Sequence, residues 1–336
     1  MLIKAFKFKK LYLCLFIFVS IFAICSGISI YAFANNSFPF IWESQSTQKD
    51  YIKWVDFTPT YEVLNQTSKL DIDSHNDPNS NITYNWIELI SYLACKYGGD
   101  FKKYNNKDLT DLTNQLKSGI SMSELTKDMK YYSYYFEAYD AVLHEFIGEY
   151  EENFETKYGI KVFLPIAKNY CFSHYDDFGN SRSYGYKRVH LGNDLMGSIG
   201  TPIIAVESGT VEALGWNQYG GWRIGIRSLD KKRYYYYAHL RKDHPYVSTL
   251  SEGDIVSAGD VIGYLGMTGY STKENVNNIN IPHLHFGIQL IFDESQKDGT
   301  NQIWIDVYQI IEFLRKNQSE VYKDKELNEY FRNIST

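Results

Sequence analysis

The sequence predicts an α+β chain: an apolar N-terminal segment, a small all-α module, an all-β domain and a C-terminal helix. Three observations carry this. An uncharged, mostly apolar run covers Leu11 to Ala34. Apolar residues at helical spacing begin at Trp86. After about Gly159, short β-type runs alternate with glycines, the pattern of a sandwich or barrel. The boundaries fall at 1–34, 35–81, 82–158, 159–300 and 301–336.

Lys4, Lys7, Lys9 and Lys10 precede the apolar run. About 23 residues at a helical rise span roughly 34 Å, enough for a ~30 Å hydrocarbon core. The lysines then stay in the cytoplasm and the remainder is exported. Ala32-Phe33-Ala34 also resembles a signal-peptide cleavage site. The segment is therefore one membrane helix, or a signal with secretion after Ala34. Both place the bulk of the protein outside the cytoplasmic membrane. Cys95 and Cys171 are the cysteines beyond this run. They form one disulfide in an oxidising compartment or remain two buried thiols.

Residues 35–81 are polar and mixed, and read as a linker or stalk with one short helix. Trp86, Leu89, Ile90, Leu93, Ala94 and Tyr97 then mark a helix. Asn85 is its N-cap, with Glu88 three residues on, and Gly98-Gly99 stops it. A second helix is expected over 108–117 and a third over 123–150. Nothing in 82–158 has catalytic spacing. Strands are expected over 161–166, 202–206, 210–214, 222–227, 233–238, 261–265 and 283–290. A closing helix over 307–316 precedes a charged tail.

The net charge is −6 and no region is strongly basic, so nucleic-acid binding is not indicated. Thirty Tyr and twenty Phe suit strands and grooves for flexible polar chains.

The chemistry concentrates in His190-x-x-x-Asp194, in His283-Leu284-His285 and in His239. Each motif alone is weak. Together they supply imidazoles and a carboxylate, the inventory of a zinc site for hydrolysis. His283 and His285 open a strand-like run, so both point to one face, roughly 6–7 Å apart. That spacing lets one bind a metal while the other reaches its water. Gly192 permits a tight bend between His190 and Asp194. Two imidazoles and one carboxylate leave a fourth position for water, as in catalytic sites. A neutral histidine nearby can take the water's proton and return it to a leaving amine. The bland alternatives are a turn cap for Asp194 and a core histidine for His283. His75, His144, His174 and His244 match no ligand pattern and read as surface or structural.

The text from Tyr186 to Leu290 resembles the lysostaphin/LytM-type zinc metallopeptidases. The matching stretches are His190-Leu-Gly-Asn-Asp194, Gly200 to Val211, Gly220-Gly221, Tyr237-Ala-His239-Leu240, Gly253-Asp254, Ala258-Gly259, Gly263 to Gly266, Thr268-Gly269 and His283-Leu-His285-Phe286. They keep the family's order over about a third of the chain. The resemblance implies an antiparallel β domain of duplicated-hybrid-motif type with one Zn2+ per chain. It implies His190, Asp194 and His285 as ligands, and His239 and His283 as the pair that activates water and stabilises the intermediate. Family members cut peptide bonds in peptidoglycan. Ser271–Ile281 is an insertion beside the groove. Groove candidates are Tyr184, Tyr186, Trp216, Tyr219, Trp222 and Tyr270, with strand packing as the alternative for each.

The expected function is therefore a membrane-tethered or secreted endopeptidase, with peptidoglycan peptide as its partner. Two rivals stand beside it. One is a catalytically silent family member acting as an activator or structural partner in an envelope or sporulation complex. All five site positions are filled, which argues against that. The other is a cytoplasmic sugar-phosphotransferase carrier domain, which the exported N-terminus argues against.

Overall fold

The computed structural model describes residues 51–334 except 153 and 185. The expected membrane segment, 1–34, lies outside the described residues. Among the described residues no helix is long and apolar enough to cross a membrane.

The first helix, α1 (Tyr61–Asn76), occupies the segment expected to be a stalk. Val63, Leu64, Thr67, Ser68, Asp71 and Ser74 form its buried stripe. Half of that stripe is hydroxyl-bearing, so hydropathy conceals it. The hydroxyls bond back to the helix, Thr67 Oγ1 to the Val63 carbonyl and Ser74 Oγ to the Asp71 carbonyl, both at 2.8 Å. Helix α2 (Trp86–Tyr97) forms as expected. Its Asn85 cap accepts from the amides of Ile87 and Glu88, and Gly98 ends it with φ of 63°. Then come α3 (Asn106–Lys117), α4 (Met122–Thr126) and α5 (Tyr132–Leu143). The expected long helix over 123–150 is broken. Its last part is strand β1 (Ile147–Glu152), paired antiparallel with β2 (Glu155–Ile160). The module is therefore not all-α.

The β region continues with β3 (Ser173–His174), β4 (Ser181–Tyr184), β5 (Tyr186–Val189) and β6 (Asn193–Met196). Next are β7 (Pro202–Ile204), β8 (Gly209–Asn217), β9 (Gly221–Ser228) and β10 (Arg233–Ala238). Short β11 (Ile255–Val256) and β12 (Val261–Tyr264) precede β13 (His283–Leu290) and β14 (Ile303–Ile305). The main sheet runs β11-β8-β9-β10-β13-β6-β3, with β14 also on β13. Every described pairing in it is antiparallel. The expected strand over 161–166 is instead irregular chain, joined to Ile203 by one bridge at Ile166. Helix α6 (Tyr308–Leu314) closes the fold. The charged tail folds back as β15 (Val321–Lys323) and β16 (Tyr330–Arg332).

The described residues from 52 onward form one compact unit, so the helical segment is not a separate module. Trp86 of α2 stacks on Phe313 of α6 with centroids 5.7 Å apart. Arg233 of β10 is fully buried and joins the two parts. It pairs with Glu207 at 2.8 Å, with Asp230 at 2.9 Å, and donates to the Ala141 carbonyl of α5 at 2.7 Å. Removing one partner of such a buried pair typically costs about 3–5 kcal/mol.

Alternation along β13 sets the faces. Leu284, Phe286, Ile288 and Leu290 are fully buried in the core. Each contributes roughly 1.5–3 kcal/mol by burial. His283 and His285 therefore face the other side, and a one-residue slip would exchange the two sets. Cys95 and Cys171 are both free thiols. Cys171 is exposed, contrary to the buried alternative, and burial pushes the Cys95 thiol up to about 11.

Candidate metal centre

Strand register assembles the site. Asp194 of β6 lies directly opposite His285 of β13, and His285 lies opposite Ala238 of β10. His239 follows at the end of β10. His190 comes from the turn before β6, where Gly192 lets the chain pass β13 closely. A Cβ on Gly192 would fall 2.6 Å from the Phe286 carbonyl oxygen and 2.8 Å from the His285 ring.

Three donor atoms converge. His190 Nε2 is 3.0 Å from Asp194 Oδ1 and 2.9 Å from His285 Nδ1. His285 Nδ1 is 3.0 Å from the same carboxylate oxygen. Ligands about 2.0–2.1 Å from a tetrahedral zinc lie roughly 3.3 Å apart, so this triangle is close to that geometry. The tautomer of His190 also fits. Its Nδ1 donates to the Asp177 carbonyl at 3.2 Å, which leaves Nε2 with its lone pair toward the triangle. Nitrogen, nitrogen and carboxylate oxygen form the donor set of an open zinc site.

The other two histidines approach from the side. His283 Nδ1 donates to the Ile281 carbonyl at 2.8 Å, and its Nε2 lies 3.7 Å from Asp194 Oδ1. His239 Nδ1 donates to the Thr268 carbonyl at 2.9 Å. In both rings Nε2 remains to accept a proton. The two ring centroids are 4.8 Å apart. His239 has a left-handed backbone, φ 62°, a conformation costing about 1–3 kcal/mol in a non-glycine residue. Its amide bond to the Gly220 carbonyl, 2.7 Å, helps hold it there.

Electrostatics separates these groups. Burial raises the Asp194 carboxyl, but its close contacts with His190 and His285 and the nearby imidazoles outweigh it and hold the group far below the carboxylate range. Burial, reinforced by His283 and His285, holds His239 well below the usual imidazole value, so it is neutral. Burial likewise lowers His285, with Asp194 opposing.

The centre opens into a cleft lined by Tyr219 and Tyr270, as the sequence suggested, and by Arg182, Arg188, Tyr236, Gln302 and Trp304. Trp216 and Trp222 do not line it. They are partners across β8 and β9, edge to face at 5.7 Å, and Trp222 Nε1 donates to Asn275 of the 271–281 insertion. Strand packing accounts for both. Tyr184 and Tyr186 flank the β4–β5 turn, but their side chains lie outside the described residues. Sequence reasoning missed Asp177, Arg182 and Arg188. In Arg182-Ser-Tyr-Gly-Tyr-Lys-Arg188 the paired Tyr and Arg about a central glycine were the readable sign of a hairpin with both arginines on one face. Of the histidines set aside, His174 is structural, bridging Asn193 and Glu312 at 2.5 Å each.

Residues 188–299 match Peptidase family M23. A stretch of 125 residues, 37% of this chain, is 38% identical to the L-Ala--D-Glu endopeptidase of Bacillus subtilis and covers 36% of that protein. Lysostaphin of Staphylococcus simulans is 41% identical over 99 residues, 29% of this chain and 17% of its own length. The chain thus spans well under half the length of these curated relatives. A LytM structure from Ruminococcus gnavus shares the fold, with a TM-score of 0.50 and 23% identity over 70% of this chain and 84% of that one.

Proposed function

We propose, from the match of residues 188–299 to Peptidase family M23, that this protein is a zinc endopeptidase cutting peptide bonds of bacterial cell-wall peptidoglycan. The observation that carries the reading is the donor triangle, with edges of 2.9–3.0 Å, beside two further histidines tethered through Nδ1. A structural zinc site would be closed by a fourth protein ligand. Here the fourth side faces the cleft.

His190, Asp194 and His285 hold one zinc per chain. Zinc bound there supplies Lewis acidity, lowering the pKa of a water to about 7 and polarising a carbonyl. The residues do the rest. His239, neutral and fixed in one tautomer, accepts the proton of the attacking water at Nε2. His283 stabilises the charge developing on the carbonyl oxygen through a proton carried on its Nε2 while Nδ1 stays bound to the Ile281 carbonyl. The accepted proton then passes to the departing amine, so protons balance over the cycle. Tyr219 and Tyr270 flank the path of an extended, polar peptide. The exported position is part of the proposal: residues 1–34 tether the protein to the membrane or are removed on secretion.

Metal analysis of purified His190→Ala and Asp194→Ala tests the ligand set. We expect one zinc in the parent protein and almost none in either variant. A zinc retained tightly by both variants overturns the assignment.

A further inference from the structure

Building on the endopeptidase reading, we propose that Arg188 is the carboxylate receptor of the cleft. The substrate is then an acidic stem-type peptide, with a free carboxylate beside the scissile bond, rather than a neutral glycine bridge. The β4–β5 register sets Arg188 directly opposite Arg182, and both line the cleft. Like charges facing each other across a strand pair are destabilising. Arg182 is compensated, since it pairs with Asp177 and lies 3.4 Å from Asp194. Among the described residues no carboxylate pairs with Arg188. Its guanidinium carbon instead lies 5.1 Å from the Tyr219 ring centre and 4.6 Å from that of Tyr270.

The guanidinium thus sits over two rings, and none of its N–H donors is taken by a carboxylate among the described residues. Those donors match a carboxylate in bidentate geometry. The location is close to the chemistry. The Tyr270 ring lies 5.7 Å from the His239 ring, so one aromatic ring separates the receptor from the proposed base. A neutral peptide in the same cleft would cover a cation without pairing it, which disfavours that occupant. The acidic peptide is therefore both attracted and distinguished.

The test uses two synthetic stem-type peptides that differ in one group, a free carboxylate or its carboxamide next to the scissile bond. For the zinc-loaded protein we expect the acid to be favoured about tenfold or more in kcat/KM, chiefly through KM. Arg188→Gln should bring the ratio near one by weakening the acid twin, and Arg188→Lys should restore part of it. A residue that only propped the two tyrosines would leave the ratio unchanged. Equal cleavage of both twins by the parent, or an unchanged ratio in Arg188→Gln, overturns the receptor and leaves the endopeptidase reading intact. Calorimetry on zinc-loaded His239→Ala separates recognition from chemistry. An acid preference in binding with no cleavage of either twin by the parent retains the receptor and counts against the endopeptidase reading. No binding preference in calorimetry also overturns the receptor.

Discussion

Asp71 and Asp194 are both buried carboxylates with histidine neighbours, yet one belongs to the scaffold and the other to the centre. Asp71, in α1, accepts from the Trp86 amide at 2.8 Å and from Tyr158 Oη at 2.7 Å. These donors bring their own hydrogens, and the carboxylate pins α1, α2 and β2 together. Burial nevertheless raises its pKa. Asp194 meets imidazole nitrogens instead, and the outer nitrogen of His190 is already committed to a carbonyl. Its pKa is strongly lowered. The difference teaches that burial and polarity do not identify a site. Lone pairs converging on one point do, because only a cation satisfies them together.

Substitutions can break or sharpen this contrast. The largest effect should come from His239→Ala. Zinc content should hold while turnover falls about 10²–10⁴-fold, the usual contribution of a general base. Single-turnover assays on the metal-loaded variant read this directly, and undiminished turnover would remove His239 from the chemistry. Asp177→Ala should act on the metal instead, because it removes a carboxylate that lies 3.2 Å from His190 Nδ1 and pairs with Arg182. Losing a group that orients a ligand typically costs about 10–100-fold in affinity, measurable by competition with a chelator. Asp71→Ala should leave metal affinity unchanged. It strands the Trp86 amide and the Tyr158 hydroxyl and should cost about 3 kcal/mol by urea denaturation. If it weakened zinc binding as much as Asp177→Ala does, the division between scaffold and site would collapse.

Much of the site was legible in the sequence, and the reasons are specific. His283 and His285 sit two apart in a strand whose other face is uniformly apolar, so their common face followed from alternation alone. The strands over Arg233–Ala238 and His283–Leu290 have the limits read from the sequence. The N-cap and stop of α2 were equally readable because cap chemistry is local. Helix α1 was hidden because its buried stripe is largely Thr, Ser and Asp. The β1–β2 hairpin was absorbed into a helix because Ile147–Glu152 contributes only one buried apolar residue. Trp216 and Trp222 were misplaced because their pairing depends on β8–β9 register. The contact of Asp177 with His190 bridges thirteen residues, and no local pattern encodes it.

The central claim is that the converging donors serve peptide-bond hydrolysis in peptidoglycan. Mass spectrometry of fragments released from defined peptidoglycans tests it most directly, comparing the parent, the chelator-treated parent and His283→Ala. We expect new amino termini within the peptide moiety, appearing only with zinc and largely lost in His283→Ala. Absence of any peptide cleavage by the zinc-loaded parent, or equal release after chelation and in the variant, would contradict it.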